Sequence, residues 1–333
     1  MPTPSRRAVL RLLPALPLLS CALPGAVPDA VFDAAAASEL ARRPGDYLNG
    51  EARAFLARRA GAAGGLLWGT LHFGYDETTV MPRQVRDRFA QSRLLLVEEV
   101  LDRMPAATRR ALADVARRGL ATPDPAALAA LGPATLAQLQ DAGVTPGEME
   151  RFSLAGLTSL VGGRAAAGLQ GPLPTGGIVD MNLIGFARSI GTPVQGLEPV
   201  DAGLMQRLMF AAPNGRNAAA ALRLALRRGA GTPSFLAWVR ARYAAGQVAQ
   251  VAAGLTAWQA APEDLRRADA ARAALLTERN RAWLPVLEAG LGGDTPLFAA
   301  FGAAHLLGGD GVVALLRGRG WDVVPCIGDQ VPA

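Results

Sequence analysis

The sequence contains no lysine, so all of its positive side-chain charge is carried by arginine. The arginines are scattered singly and in pairs among acidic and apolar residues, and only 5% of the residues are aromatic. No basic stripe with interleaved aromatic residues is present, as a nucleic-acid-binding surface would require. Although the sequence pI is about 10.4, nucleic acid is therefore not expected as a partner.

Cysteine is equally scarce, because Cys21 and Cys326 are the only two in the chain. Cys21 lies in an N-terminal stretch that we expect to be processed, which leaves Cys326 as the one interior cysteine. A fold held together by disulfides is excluded on this count, and so is a metal site built from cysteines.

The first 25 residues have the pattern of a secretory signal peptide. A basic start precedes an apolar run, which proline and arginine interrupt and which is too short for a stable membrane-spanning helix. The adjacent Arg6 and Arg7 are placed as in a twin-arginine export signal, and an ordinary secretory signal accounts for them equally well. Both lipidation of Cys21 and cleavage beyond it remain open. We expect an exported protein, periplasmic or lipid-anchored, whose net charge falls from +6 to +3 when three arginines and no acid are removed.

Histidine occurs only twice, and both histidines end a Gly-x-x-His segment. The segments run from Gly69 to His72 and from Gly302 to His305, more than 200 residues apart. Each contains the end of a short apolar run that predicts a buried strand. Two further apolar runs of the same kind end on acidic residues, one at Glu98 and one at Glu198.

These runs alternate with segments of helical periodicity, which predicts an α/β fold. We expect one domain over residues 26–333, with a central mixed or largely parallel sheet flanked by helices. A helical insert is predicted over about 202–290, with breaks near Asn214, Gly231 and Pro262. Residues 32–63 are rich in alanine and predict short helices or a loose lead-in.

Polar residues at the ends of strands indicate where the chemistry lies, because functional groups of α/β sheets collect at the carboxyl ends of the strands. Imidazoles and carboxylates together suit a divalent metal, which would lower the pKa of bound water. Glu98 and Glu99 are adjacent, so only one can face such a site, and Glu98 is preferred because it directly ends its run. As strand-end residues, these side chains are expected outside the core. On pattern alone the alternative stays open that both histidines are ordinary core or loop residues and that Glu198 caps a turn.

The segments "LLWGTLHFG" and "FGAAHLLGGDGVVALLRGRGWDVVPC" resemble the two Gly-x-x-His motifs of the TraB/GumN family, which includes the Tiki metalloproteases. The segments "LLLVEEV", "IVDMNLIGFARSIGTPVQGLEPV" and "ERNRAWLPVL" are similar to further blocks of that family. The resemblance covers about residues 64–326 in the family's order. It implies a core site formed by His72, Glu98, Glu198 and His305, with Arg279 and Asn280 as polar supports.

The resemblance implies a metal-dependent hydrolase that acts on a peptide or an envelope-associated substrate. His72, His305 and Glu98 would hold the ion, a glutamate not bound to it would accept a proton, and Arg279 would stabilise an oxyanion. Mn²⁺ or Co²⁺ is implied by the resemblance, and Zn²⁺ also suits these ligands. A metal-free hydrolase and a non-catalytic accessory protein of envelope or polysaccharide assembly are the alternatives. The sequence gives no indication of the oligomeric state.

Overall fold

The structure, a computed structural model, describes residues 27–71, 81–100, 120–167, 179–198, 216–259 and 276–332, with positions 105–108, 110 and 114. The predicted signal peptide with Cys21 lies outside the described residues, and so do the predicted helix breaks near Asn214 and Pro262. No helix within the described ranges has both the length and the apolarity needed to cross a membrane.

Six strands in the described part of the chain form one mixed sheet, in the spatial order β4-β3-β5-β2-β1-β6. They are β1 Ala54–Arg58, β2 Gly65–Thr70, β3 Leu94–Val97, β4 Val194–Gly196, β5 Leu297–Gly302 and β6 Asp322–Pro325.

The four neighbouring strands β4, β3, β5 and β2 are parallel, whereas β1 pairs antiparallel with both β2 and β6. The predicted mixed sheet is therefore confirmed. β2 and β5 pair along their whole length, from Gly65 opposite Leu297 to Thr70 opposite Gly302. This register brings the glycines of the two Gly-x-x-His segments to the same edge of the sheet.

The described helices lie on both faces of the sheet and beside it. They are α1 Asp29–Arg42, α2 Arg83–Gln91, α3 Pro125–Ala129, α4 Pro133–Asp141, α5 Pro146–Met149, α6 Leu154–Ala167, α7 Val179–Ser189, α8 Arg216–Arg228, α9 Thr232–Ala244, α10 Val248–Gln259, α11 Glu278–Leu291 and α12 Val312–Gly318.

Alternate residues of each strand face opposite sides of the sheet, and each side has its own buried layer. On one side Leu67 and Leu96 pack with α11 and α12. On the other side Leu66 and Leu95 pack with α2 and α7, and Phe89 of α2 stacks on a strand residue, Phe298, at 4.3 Å between ring centroids. Each fully buried side chain of this size contributes roughly 1.5–3 kcal/mol by leaving water, so the two layers are the main source of the sheet's stability.

Two helical clusters complete the described fold. Helices α1, α9 and α10 share one apolar cluster, whose members include Phe32 and Trp238. Helices α3 to α6 share another with α8, through side chains such as Leu139 and Leu222. The predicted helical insert is confirmed for its described residues, 216–259 and 276–290, but its last helix, α11, packs against the sheet.

One strand was missed from sequence. Residues 54–58 were predicted within a helical or loose lead-in, but they form β1 between β2 and β6. That prediction is correct for α1 and wrong for β1. Two of the five strand residues are alanines, so local composition carries little strand signal. The strand forms because its backbone pairs with β2, which follows it in the chain, and with the distant β6, and the composition of residues 54–58 does not indicate this pairing.

Candidate functional site

Three parallel strands deliver polar side chains to the same edge of the sheet. Glu98 directly follows β3, Glu198 follows β4, and His305 lies in a 3-10 turn, Ala303–Leu306, that follows β5. Helix α11 contributes Arg279 and Asn280 from the layer above. The structure thus brings together five of the six predicted site residues, and the sixth, His72, lies outside the described residues.

The site is buried, contrary to the expectation that strand-end residues lie outside the core. His305 is 3% exposed, and Glu98 and Arg279 are each 9% exposed. Helix α11 covers this edge of the sheet and removes these side chains from water. Since isolated charges are costly to bury, the contacts among these side chains determine whether the site is stable.

Arg279 is the electrostatic centre of the site. Its Nη2 donates to Glu98 Oε2 at 2.6 Å, and its Nε donates to Glu198 Oε1 at 2.9 Å. Burial by itself would lower the pKa of Arg279, but the charges and hydrogen bonds of Glu98 and Glu198 outweigh burial and raise this pKa above its usual value. A group whose pKa is raised on folding stabilises the folded state at pH values below its pKa in the unfolded chain. This stabilisation is lost only as the pH rises through the pKa of the group in the folded state. Arg279 therefore stays charged throughout the neutral range.

Glu98 is held at both carboxylate oxygens. Oε2 pairs with Arg279, and Oε1 accepts the backbone N–H of Gly302 at 2.6 Å. The same Oε1 lies 3.8 Å from His305 Nε2. The glycine of the second Gly-x-x-His segment therefore orients Glu98 through its backbone, a role that the sequence did not reveal.

The orientation of His305 is set by Asn280, which is 2% exposed. Asn280 Nδ2 donates to the backbone carbonyl of Asp310 at 2.9 Å, which leaves Asn280 Oδ1 as an acceptor. His305 Nδ1 lies 2.6 Å from that oxygen, so Nδ1 carries the proton. Nε2, on the other side of the ring, lies 3.5 Å from Arg279 Nη1 and 3.8 Å from Glu98 Oε1. Asn280 acts through the imidazole and is a positioning residue.

Trp283 is a site residue that the sequence analysis missed. Its Nε1 donates to Glu198 Oε2 at 3.1 Å, and its ring lies 4.4 Å from the His305 ring and 4.7 Å from the Arg279 guanidinium carbon. Trp283 follows Arg279 by four residues on the same helix, so the i, i+4 spacing could have identified it.

The two Gly-x-x-His segments pack directly against each other. A Cβ atom on Gly69 would lie 2.5 Å from Leu306 Cδ1 and 2.9 Å from Ala303 Cα, both in the turn that carries His305. This close approach of the two backbones leaves room only for a glycine at position 69. The two Gly-x-x-His segments, which match in sequence, therefore begin at the ends of two neighbouring strands.

Replacing Gly69 with alanine is expected to lower the free energy of unfolding by about 1–3 kcal/mol, because the new methyl group overpacks the turn around His305. Gly185→Ala in α7 is the matched control, since a Cβ there meets nothing within 4 Å. That control should be neutral or slightly stabilising. Urea unfolding of both variants measures the difference, and equal stability of the two would contradict the close packing.

The metal implied by the resemblance needs donors of the right chemistry. Within the described part of the chain, no three side chains of histidine, cysteine, aspartate or glutamate are grouped so as to hold an ion. His305 Nε2 and Glu98 Oε1, 3.8 Å apart, are close enough to share one ion. Imidazole nitrogen and carboxylate oxygen suit manganese, cobalt and zinc alike. These two donors therefore fit a divalent metal as part of a larger ligand set.

Comparison with known proteins gives one match. A family model described as the TraB/PrgY/gumN family matches residues 55–325, which include every site residue described above. No curated protein and no solved structure matches the chain.

Proposed function

The chain belongs to the TraB/PrgY/gumN family, and from the site that it carries we propose that it is a metal-dependent hydrolase acting on a peptide bond. One observation carries the proposal. The only described histidine, His305, is held at Nδ1 by Asn280, and its Nε2 lies 3.8 Å from Glu98 Oε1. An imidazole that is oriented by a hydrogen bond at Nδ1, with its Nε2 beside a carboxylate oxygen, is typical of a metal ligand.

In this proposal His305 Nε2, Glu98 Oε1 and His72 hold the ion. When bound, a divalent ion supplies a Lewis acid and lowers the pKa of a water molecule that it coordinates. The family resemblance favours Mn²⁺ or Co²⁺, and Zn²⁺ suits the same donors. Glu98 is assigned as a ligand because its Oε1 is the carboxylate oxygen beside His305 Nε2.

Arg279 has one guanidinium nitrogen suited to the substrate. Nε and Nη2 bind the two glutamates, whereas Nη1 faces the imidazole of His305 at 3.5 Å. We assign Nη1 the role of hydrogen-bond donor to the oxyanion that develops on the substrate carbonyl. Such a donor, fixed in a buried site, stabilises the transition state more than a mobile one would.

Glu198 is the proton acceptor in this scheme. Its Oε1 accepts hydrogen bonds from Arg279, and its Oε2 accepts one from Trp283, which leaves a lone pair on Oε2. A positioned carboxylate that takes the proton of the attacking water contributes roughly two to four orders of magnitude in rate.

We further propose that the enzyme works outside the cytoplasm. The N-terminal 25 residues would direct export, with release into the periplasm or lipidation at Cys21. Its substrate would then be a peptide of the periplasm or the cell envelope.

One observation favours a metal-free hydrolase as the second candidate. Arg279 already forms ion pairs with both Glu98 and Glu198, so neither carboxylate depends on a metal ion for a cationic partner. In that mechanism His305 Nε2 is the general base, and a glutamate is its partner.

Metal analysis combined with an activity screen separates these functions. We expect the purified protein to contain a stoichiometric divalent metal and to hydrolyse members of a peptide panel. A chelator should abolish hydrolysis, and Mn²⁺ or Co²⁺ should restore it. Undiminished hydrolysis by metal-free protein would establish the metal-free enzyme instead. Retention of metal without hydrolysis of any peptide or ester would contradict catalysis and indicate a binding protein.

A further inference from the structure

We infer that Tyr243, in helix α9 of the helical insert, is a positioning residue for the paired Gly-x-x-His segments. Its side chain is fully buried, and its hydroxyl donates to the backbone carbonyl of Gly69 at 2.6 Å. The inference deepens the proposed function, because it names the contact through which the helical part of the chain supports the site.

The hydrogen bond from Tyr243 to Gly69 lies where β2 stops pairing with its antiparallel neighbour β1. The register between β1 and β2 ends at the pair Ala54 and Trp68. One residue further, the Gly69 N–H donates to the Arg53 carbonyl at 2.7 Å, and the Gly69 carbonyl accepts the Tyr243 hydroxyl. A helix side chain therefore fixes the peptide at which the first Gly-x-x-His segment begins.

The aromatic ring of Tyr243 is fixed as well. The Arg53 guanidinium lies 5.4 Å from the Tyr243 ring centroid and 5.0 Å from the Trp68 ring centroid. Cation–π contacts of this kind orient both rings. The hydroxyl consequently has little freedom to leave the Gly69 carbonyl.

Gly69, whose carbonyl Tyr243 holds, directly contacts the turn that carries His305. Gly69 packs without room for a Cβ against Ala303 and Leu306, on either side of His305 in its turn. Ala303 also lies in the apolar cluster that contains Tyr243 and Leu71, the residue before His72. Tyr243 thus acts on one peptide, and that peptide supports the turn holding His305.

Tyr243→Phe removes the hydroxyl and keeps the ring against Arg53. Tyr47→Phe is the matched control, because Tyr47 is a buried tyrosine of the same cluster whose hydroxyl donates to Glu39 Oε1 at 3.2 Å. We expect amide hydrogen exchange at 69–71 and 303–306 to become about 2- to 10-fold faster in Tyr243→Phe only, the range for loss of one hydrogen bond.

A second measurement exploits the two histidines of the chain. Protein labelled with ¹⁵N in histidine gives two sets of imidazole signals, and His305→Ala identifies the His305 set by its disappearance. Tyr243→Phe should shift or broaden the His305 signals, and Tyr47→Phe should leave them unchanged. A Tyr243→Phe protein with wild-type His305 signals and wild-type exchange at both segments would overturn the inference.

The metal provides the link to function and is tested separately. If the proposed function holds, Tyr243→Phe should weaken Co²⁺ binding roughly tenfold, as losses beyond the direct ligands do, and change its visible absorption spectrum. Wild-type Co²⁺ affinity and spectrum in Tyr243→Phe would overturn the positioning role. If wild-type protein binds no Co²⁺, the proposed metal site fails, while exchange and the imidazole signals still decide the role of Tyr243.

Discussion

Arg279→Met is expected to lower the free energy of unfolding by about 3–5 kcal/mol at neutral pH, the cost of removing one partner from a buried ion pair. Glu98 and Glu198 both form an ion pair with this guanidinium, which compensates the cost of burying their charges. Their side chains are each 12% exposed, so water replaces the lost partner poorly. Methionine retains an unbranched apolar side chain against Trp283, which limits the loss of packing. Urea unfolding followed by circular dichroism measures the loss.

The matched control is Arg281→Met, two residues along the same helix. Arg281 pairs with Asp310 at 2.8 Å, but the two side chains are 64% and 55% exposed. An exposed pair of this kind contributes about 0–1 kcal/mol. Similar losses for Arg279→Met and Arg281→Met would contradict the assignment of Arg279 as the buried centre of the site.

His305→Ala should remove the metal and the hydrolytic activity together. The substitution deletes the donor Nε2 and leaves Asn280 Oδ1 without its imidazole partner, at a stability cost of about 1–3 kcal/mol. Metal content after dialysis should fall to background, with hydrolysis measured at a temperature where the variant remains folded. Full activity at wild-type metal content would show that the paired Gly-x-x-His segments only form turns and that His305 does not bind the metal.

Glu98→Gln distinguishes a ligand from a proton acceptor. Glutamine retains an oxygen that can accept the Gly302 N–H, but its amide cannot carry the charge that pairs with Arg279. If Glu98 is the ligand proposed above, both metal and activity should fall. Retained metal with activity lower by roughly two to four orders of magnitude would make Glu98 the proton acceptor.

Much of the sheet could be predicted because its four parallel strands lie in segments with clear ends, and three of them, β2, β3 and β5, are apolar runs. Each run carries its own signal, and each ends close to a residue with functional chemistry, as at Glu98 and Glu198. Gly191 ends the turn after α7 with a φ of +75°, a conformation that favours glycine. β1 could not be predicted, because its alanine-containing sequence forms a strand only through its two neighbours.

The members of the site could be predicted better than their contacts. Strand ends and the family resemblance identified Glu98, Glu198 and His305, and the structure adds that Arg279 links the two glutamates. Trp283 could have been identified from its spacing on α11. Tyr243 could not, because its role depends on how a distant helix packs against the end of β2. Such long-range packing leaves no local pattern in the sequence.

The proposed function requires a divalent metal at the carboxyl ends of the parallel strands. Crystals grown with Mn²⁺ or Co²⁺ and measured at the metal's absorption edge test it most directly. We expect an anomalous peak about 2.0–2.3 Å from His305 Nε2 and from Glu98 Oε1, with His72 as a further ligand. Crystals with saturating metal that show no peak beside His305 Nε2, with His305 in contact only with Asn280 and Arg279, would rule out a metal at this position.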